Sequence, residues 1–292
     1  MLSTCGISDS DSYQPVEEKY ELTRKTLSLL SEKKFPVHIL TKSTLVKRDV
    51  DILKKINETS KAIVSFSFSS TDEKISRIFE PGVPSPRKRL ETISFFKDKG
   101  IACGMFLLPV IPFITDIREV MEKTIQDARD VGVDFIIFGG MTLKEVKQKE
   151  YFLNVVQRYY PKLVLEYQMI YQGSKWGEAI PEYYDQLYLT FNTIMKEYKI
   201  PKRIPLELYK DILSQNDLVI VILEHLDYLL KLEGEKSPFG YAAYSLSQVQ
   251  QPLSTMLNKL DTIKGVGKTT ENIIREILST GSSTFYEQLL KG

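Results

Sequence analysis

The chain has 292 residues, 42% of them hydrophobic and 26% charged, with a formal net charge of +1. This composition excludes a disordered, collagen-like or disulfide-scaffold chain. The near-neutral balance argues against a globally basic nucleic-acid binder. The length allows about two domains or one large α/β barrel.

The only two cysteines, Cys5 and Cys103, cannot make a three- or four-cysteine metal site, and their scarcity fits a reducing cytoplasm. The two histidines, His38 and His225, are far apart in sequence, which argues against a histidine-rich metal site. No apolar run reaches the roughly 18 residues that a bilayer span requires. The first residues, MLSTCGISDSDSYQP, lack the basic and apolar regions of a signal peptide. A cytoplasmic protein without membrane contact is expected.

In chain order, Pro15 followed by VEEKYELTRKTLSLL predicts a helix with proline at its first position. Val37–Leu40 and Ala62–Phe68 are short apolar runs with the signature of buried strands. Ser70 and Glu73 have capping-box spacing for the next helix. Ser85 and Pro86 predict an N-cap and a first-turn proline, and Gly100 a stop. Ile101–Leu108 is the third strand candidate. Asp116 can cap the helix IREVMEKTIQDARDVG, and Val133–Phe138 is the fourth strand candidate.

The β-α alternation predicts parallel strands wrapped by helices. A doubly wound sheet meets that pattern too. A barrel is favoured because polar residues gather where strands end, at Asp9–Tyr13, Thr41–Ser43, Ser65–Thr71 and Pro109–Asp116. From about Trp176 helical periodicity takes over. The expected organisation is therefore a βα region over 1–175, a helical region over 176–255 and a tail over 256–292. In the helical region, NDLVIVILEHLDYLL reads as a buried helix, although VIVIL alone also suits a strand. The tail reads as helix, Gly-x-Gly turn, helix.

Four ordered segments carry a resemblance. They are SDSDSYQPVEEKYELTR (Ser8–Arg24), TKSTLVKRDVDIL (Thr41–Leu53), SFSSTDEKISRIFEPGVPSPRKRL (Ser67–Leu90) and PVIPFITD (Pro109–Asp116). Together they resemble spore photoproduct lyase and its relatives, the DNA-repair-photolyase-like group of radical S-adenosylmethionine (SAM) proteins. Ser12 stands where that group usually has proline. The similarity covers about the first half of the chain well and the rest loosely.

The resemblance implies an α/β fold, a partial βα-barrel of the radical SAM type. It implies SAM and a [4Fe–4S] cluster as cofactors, and an electron donor as partner. In that group a Cys-x-x-x-Cys-x-x-Cys loop follows the first strand and holds three irons. SAM binds the fourth, and its cleavage to a 5′-deoxyadenosyl radical abstracts hydrogen from the substrate. No such cysteine motif occurs in this sequence, and the matching region begins at what would be the family's second strand. Two readings follow. One is a lyase-type enzyme truncated so that its cluster segment is missing, and inactive in this form. The other is a non-catalytic barrel that binds nucleic acid or a protein. Without the first strand, an exposed sheet edge is expected to favour a homodimer.

The resemblance also places the SAM contacts. Ser10 and Asp11 end the second strand of the family and would face the SAM amino group. Lys42 would pair with its carboxylate, with Ser67 donating to the same group. Pro109–Pro112, through Pro109 and Ile111, would offer backbone to adenine. Each has a plainer reading as cap, turn or rim residue. Glu80 and Arg89 are expected to form a rim ion pair, structural more than ligand-orienting.

The turn at Gly265, Gly267 and Lys268 resembles the hairpin of a helix-hairpin-helix module, which meets nucleic-acid phosphate through backbone N–H groups. Plain helix packing competes with it, since the charges nearby are balanced. Residues 33–61 are locally basic, which suits a solvated helix face or a nucleic-acid-facing rim. Cys103 and His38 lie inside strand runs and are expected to pack.

Overall fold

The structure, a computed structural model, describes residues 3–5, 11–144, 147–232 and 234–291. The chain divides into two compact units, Met1–Leu208 and Tyr209–Gly292. Among the described residues no helix is long and apolar enough to cross a membrane.

The first unit runs β1 (Ser3–Cys5), α1 (Glu17–Tyr20), α2 (Leu22–Glu32), β2 (Val37–Thr41), α3 (Val50–Thr59), β3 (Ala62–Phe68), α4 (Glu73–Phe79), α5 (Pro86–Lys97), β4 (Ala102–Val110), α6 (Arg118–Asp130), β5 (Phe135–Gly140), α7 (Lys147–Tyr159), α8 (Val164–Ile170) and α9 (Pro181–Tyr198). All four strand pairs are parallel, in the order β1-β2-β3-β4-β5. The four apolar runs expected as parallel neighbours are neighbours in this sheet. Sequential parallel order with α2, α3, α5, α6 and α9 packed on one face is the winding of a barrel and not of a doubly wound sheet.

Alternation along the strands separates two environments. Val37, Ile39, Val64, Phe66, Phe68, Cys103, Met105, Leu107 and Ile136 form one core with Leu27, Leu53, Ile56, Ile93, Phe96 and Met121 of the helices. The other, inner face carries His38, Leu40, Ile63, Ser65, Ser67, Gly104, Phe106, Leu108, Phe135 and Ile137. Leu40, Phe106, Leu108 and Ile137 of that face stay half-buried. Phe135 lies over Gly104, where a Cβ would come within 2.2 Å of its Cζ.

Several local expectations are corrected. The helix after Pro15 is two helices, because Glu21 adopts φ +52 between α1 and α2. Asp72 caps α4 by accepting from the amides of Lys74 and Ile75, while Ser70 accepts from the Asp72 amide. Asp116 does not cap α6. The N-cap position is Ile117, and the Asp116 carboxylate turns elsewhere. Ser85 and Pro86 open α5 as expected.

The expected boundary after residue 175 lies after Leu208. The reason is α9, whose Leu187, Phe191, Ile194 and Met195 join the core beneath the sheet. The Ile136 amide also donates to the Pro201 carbonyl, which extends the β5 edge.

The second unit contains α10 (Gln215–Leu232), α11 (Phe239–Ser247), α12 (Lys268–Thr280) and α13 (Thr284–Lys291). NDLVIVILEHLDYLL is helical, within α10. Val219, Ile222, Leu223 and Leu226 of α10 and Ile274 and Ile277 of α12 are buried. His225 bonds Tyr286 at 2.7 Å and Tyr209 at 3.2 Å. The segment before the Gly-x-Gly turn is a 3-10 helix, Leu257–Thr262.

Candidate functional site

Parallel strands deliver their polar ends to one rim, and the rim of β2, β3 and β4 carries a connected set of charges. Lys42 follows the last residue of β2. Its Nζ lies 2.7 Å from Glu80 Oε1. The other carboxylate oxygen, Oε2, lies 2.6 Å from Arg89 Nη2 and accepts from Ser76 Oγ at 3.2 Å. Arg89 is fully buried in α5, donates to the Ser67 carbonyl at 2.5 Å and lies 4.6 Å over the Phe68 ring. Its Nε is buried without a partner.

Glu80 is the hub. Burial alone would raise its carboxyl, but the Arg89 and Lys42 charges and their hydrogen bonds outweigh this and hold it below the usual carboxylate range. Of the two cations, only Lys42 reaches solvent, its side chain 31% exposed against 0% for Arg89. The expected Glu80–Arg89 pair is present. Sequence reasoning missed that Lys42 shares it, because the partners are 38 residues apart with no local signal.

Asp11 belongs to the same neighbourhood. Its Oδ1 accepts from Thr41 Oγ1 at 2.6 Å and the Tyr13 amide at 2.8 Å, and its Oδ2 accepts from the Lys42 amide at 2.7 Å. It therefore ties its loop to the end of β2. Ser10 lies outside the described residues. Ser67 is buried, and its Oγ donates to the Leu108 carbonyl at 3.0 Å. Asp11, Lys42 and Ser67 thus stand on one network through Glu80 and Arg89.

Pro109 lies in β4 after a cis peptide bond, and Ile111 is buried just beyond it. The Ile111 amide donates to Thr115 Oγ1 at 2.6 Å. The backbone there is folded into its own turn, and its amide is already used.

A second network pins the loop before α1. Asp49 is buried and accepts from Tyr13 Oη at 3.0 Å, Arg24 at 2.9 Å and Arg48 at 2.8 Å. Arg48 also meets the buried Glu17 at 2.8 Å. Tyrosines fix the other side of the rim. Tyr171 and Tyr184 donate to the Met141 carbonyl at 2.7 and 3.0 Å, and Tyr167 to the Pro112 carbonyl.

In the second unit Gly265 has φ +80, and a Cβ there would lie 2.5 Å from Tyr241 Cδ1. Gly267 is the N-cap of α12 without a side-chain cap, and the exposed Lys268 lies 3.7 Å from Glu271.

The iron–sulfur ligand set can be tested on the residues present. Cys103 is buried against the Ile93 and Ile101 carbonyls, and burial pushes its thiol up to about 12. It is sealed in the apolar core beneath the sheet. With only Cys5 left, the three thiolates of a [4Fe–4S] cluster do not come from these 292 residues. Among the described residues no group of three His, Cys, Asp or Glu side chains is placed to hold a metal ion.

A parallel sheet with sequential order, helices on one face and a charged rim defines the class. The profile of the radical SAM superfamily matches residues 6–128. The first unit is similar to that superfamily over those residues and shares the fold of spore photoproduct lyase. A spore photoproduct lyase double mutant with bound AdoMet and dinucleoside spore photoproduct shares that fold at 18% identity and a TM-score of 0.52, over 68% of this chain and 58% of that chain. An uncharacterized protein of Mycobacterium tuberculosis is 27% identical over 180 residues, 62% of this chain and 52% of the relative. An uncharacterized protein of Methanocaldococcus jannaschii is 28% identical over 190 residues, 65% of each. One of Acidianus two-tailed virus is 31% identical over 147 residues, 49% of this chain and 47% of the relative. The chain spans about half to two thirds of the length of these relatives.

Proposed function

We propose that the rim of β2 and β3 binds SAM, with Lys42 receiving the ligand carboxylate. What carries this reading is the linked set Asp11–Lys42–Glu80–Arg89–Ser67 at the carboxyl ends of adjacent strands. Glu80 and the buried Arg89 hold the Lys42 ammonium at a fixed place. A carboxylate arriving from solvent meets a cation that is already oriented, and a charge-assisted hydrogen bond forms with little reordering. Asp11, a short distance away, supplies the negative charge that suits an ammonium on the same ligand. The AdoMet named for the lyase of the same fold supports this ligand class.

Hydrogen abstraction by a SAM-derived radical is the group's chemistry, and it requires a cluster whose ligands these residues do not supply. The function proposed for this chain is therefore binding. A ligand-observed NMR titration with SAM tests it. Saturable binding that Lys42→Ala removes supports the reading, and absence of binding to the wild-type chain ends it.

A second reading is a nucleic-acid binding module, supported by the start of α12 after Gly267, which has no side-chain cap, and the exposed Lys268 beside it. Salt-dependent retention of oligonucleotides, reduced by Lys268→Glu, is its expected signature.

A further inference from the structure

Residues 237–258 contain no Asp, Glu, Lys, Arg or His, although 26% of the chain is charged and about six charges would fall in a stretch of that length. The stretch is not buried for lack of charge. It forms α11 and the segment after it. α11 buries Phe239, Ala242, Ala243 and Leu246 and turns Tyr241 and Tyr244 outward, 57% and 66% exposed. Gln248, Gln250 and Gln251 are exposed as well. The outer positions of α10 and α12 in the same unit carry Glu224, Lys231 and Lys268, as solvated helix faces do. The outer face of α11 carries no such residue.

An exposed surface that is free of charge and bears tyrosines has the composition of an interface core. Tyrosine brings a large amphipathic contact area with few torsions to freeze. Tyr241 is already partly held, since its ring lies where a Cβ on Gly265 would come within 2.5 Å of Cδ1. Ordering that ring on association therefore costs little. A face without cations has nothing to pair with phosphate, which favours a protein surface over nucleic acid here.

The face is also complementary to itself. Tyr241, Tyr244, Ser245 and Gln248 fall on one stripe of α11, at i, i+3, i+4 and i+7. Two α11 helices set antiparallel about a two-fold axis place Tyr244 against the partner's Ser245, a small residue that leaves room for a ring. The same axis places Tyr241 against the partner's Gln248, whose amide oxygen accepts from a hydroxyl. No like charges meet at the axis. The exposed Lys264 and Lys268, which flank the Gly265 turn beside Tyr241, fall toward the uncharged Gln248 end of the other copy.

We infer that α11 is a self-association surface, on which two copies of this chain pair through Tyr241, Tyr244, Ser245 and Gln248. The area sets its strength. Two tyrosines exposed to this degree supply roughly 250 Å² of the roughly 800 Å² per partner found in standard interfaces. The dimer is therefore reversible, with a dissociation constant on the order of 100 μM.

Sedimentation equilibrium of the full chain tests this, from about tenfold below to about tenfold above that concentration. The average mass of the wild type is expected to rise from one chain toward two. A single-chain mass throughout overturns the inference, and that measurement needs no variant to fold. Tyr244→Lys and Tyr244→Glu each put like charges beside the axis and are expected to stay monomeric with wild-type thermal unfolding. An equimolar mixture of the two is expected to dimerise again, which a merely unfolded or loosened variant would not do. Leu22→Lys, at an exposed apolar position of α2, is expected to leave the dimer intact. A dimer that survives Tyr244→Lys, or that Leu22→Lys disrupts while Tyr244→Lys does not, runs through another surface and overturns the assignment.

Discussion

Glu80 bridges Lys42 and Arg89 with one oxygen each, at 2.7 and 2.6 Å, one cation at the rim and the other fully buried. The two contacts are alike in geometry and differ in burial, so their worth to stability differs.

Removing Glu80 leaves Arg89 buried without its counter-charge. Breaking a buried pair from one side costs about 3–5 kcal/mol. Glu80→Ala is expected to lower stability by that order in urea unfolding. Lys42→Ala removes only the partly exposed partner and is expected to cost at most about 1 kcal/mol. Equal losses from the two variants would show that burial does not separate these contacts. The acid side of the curve follows from the depressed Glu80 carboxyl. Its contribution is present above its unfolded value near about 4.3 and is lost as pH falls through the lower folded value. Glu80→Gln should therefore flatten the acid end of the stability profile.

His38 acts in the opposite part of the pH range. Burial lowers its pKa to about 4, and its Nε2 lies 2.8 Å from Ser65 Oγ. The unfolded chain takes up a proton near pH 6.5 and the folded chain does not. Stability is therefore expected to fall by about 3 kcal/mol as pH drops from about 6.5 to about 4. His38→Gln should remove most of that slope. An NMR titration in which the His38 ring protonates above about pH 6 would contradict this assignment.

Gly104 is a position on the inner face with no room for a side chain. A Cβ there would stand 2.2 Å from Phe135 Cζ and 2.7 Å from Ser65 Oγ. Gly104→Ala is expected to cost about 1–3 kcal/mol by overpacking, read as a lower denaturation midpoint with an unchanged m-value. A neutral result would mean that Phe135 moves aside freely.

The strands were legible because each is a short Val-, Ile- or Phe-rich run between cap and turn residues, and Ser85–Pro86 announced α5 as plainly. The barrel-like winding was legible from polar residues gathering at strand ends. The break at Glu21 was not, because nothing in a local pattern marks a left-handed residue in a run of good helix formers. The end of the first unit was missed because α9 reads as one more amphipathic helix, and its place under the sheet is a tertiary fact. Within the site, Lys42, Glu80 and Arg89 were each singled out, but their sharing of one carboxylate is set by how α4 and α5 meet the ends of β2 and β3. Asp116 had the sequence signature of a helix cap. A hydroxyl from Tyr183, 67 residues away, takes the carboxylate instead.

The central claim is that this rim binds SAM through Lys42. The direct measurement is the dissociation constant for SAM of the wild-type chain and of Lys42→Ala, determined side by side with thermal unfolding of both. The account predicts weak binding to the wild type, on the order of 1 mM or about −4 kcal/mol. It predicts a loss of about 1.5–3 kcal/mol in the variant, the worth of a charged hydrogen bond, which takes binding below detection. Both proteins should unfold within a few degrees of each other, since Lys42 contributes little to stability. Unchanged SAM affinity in a folded Lys42→Ala protein would contradict the claim.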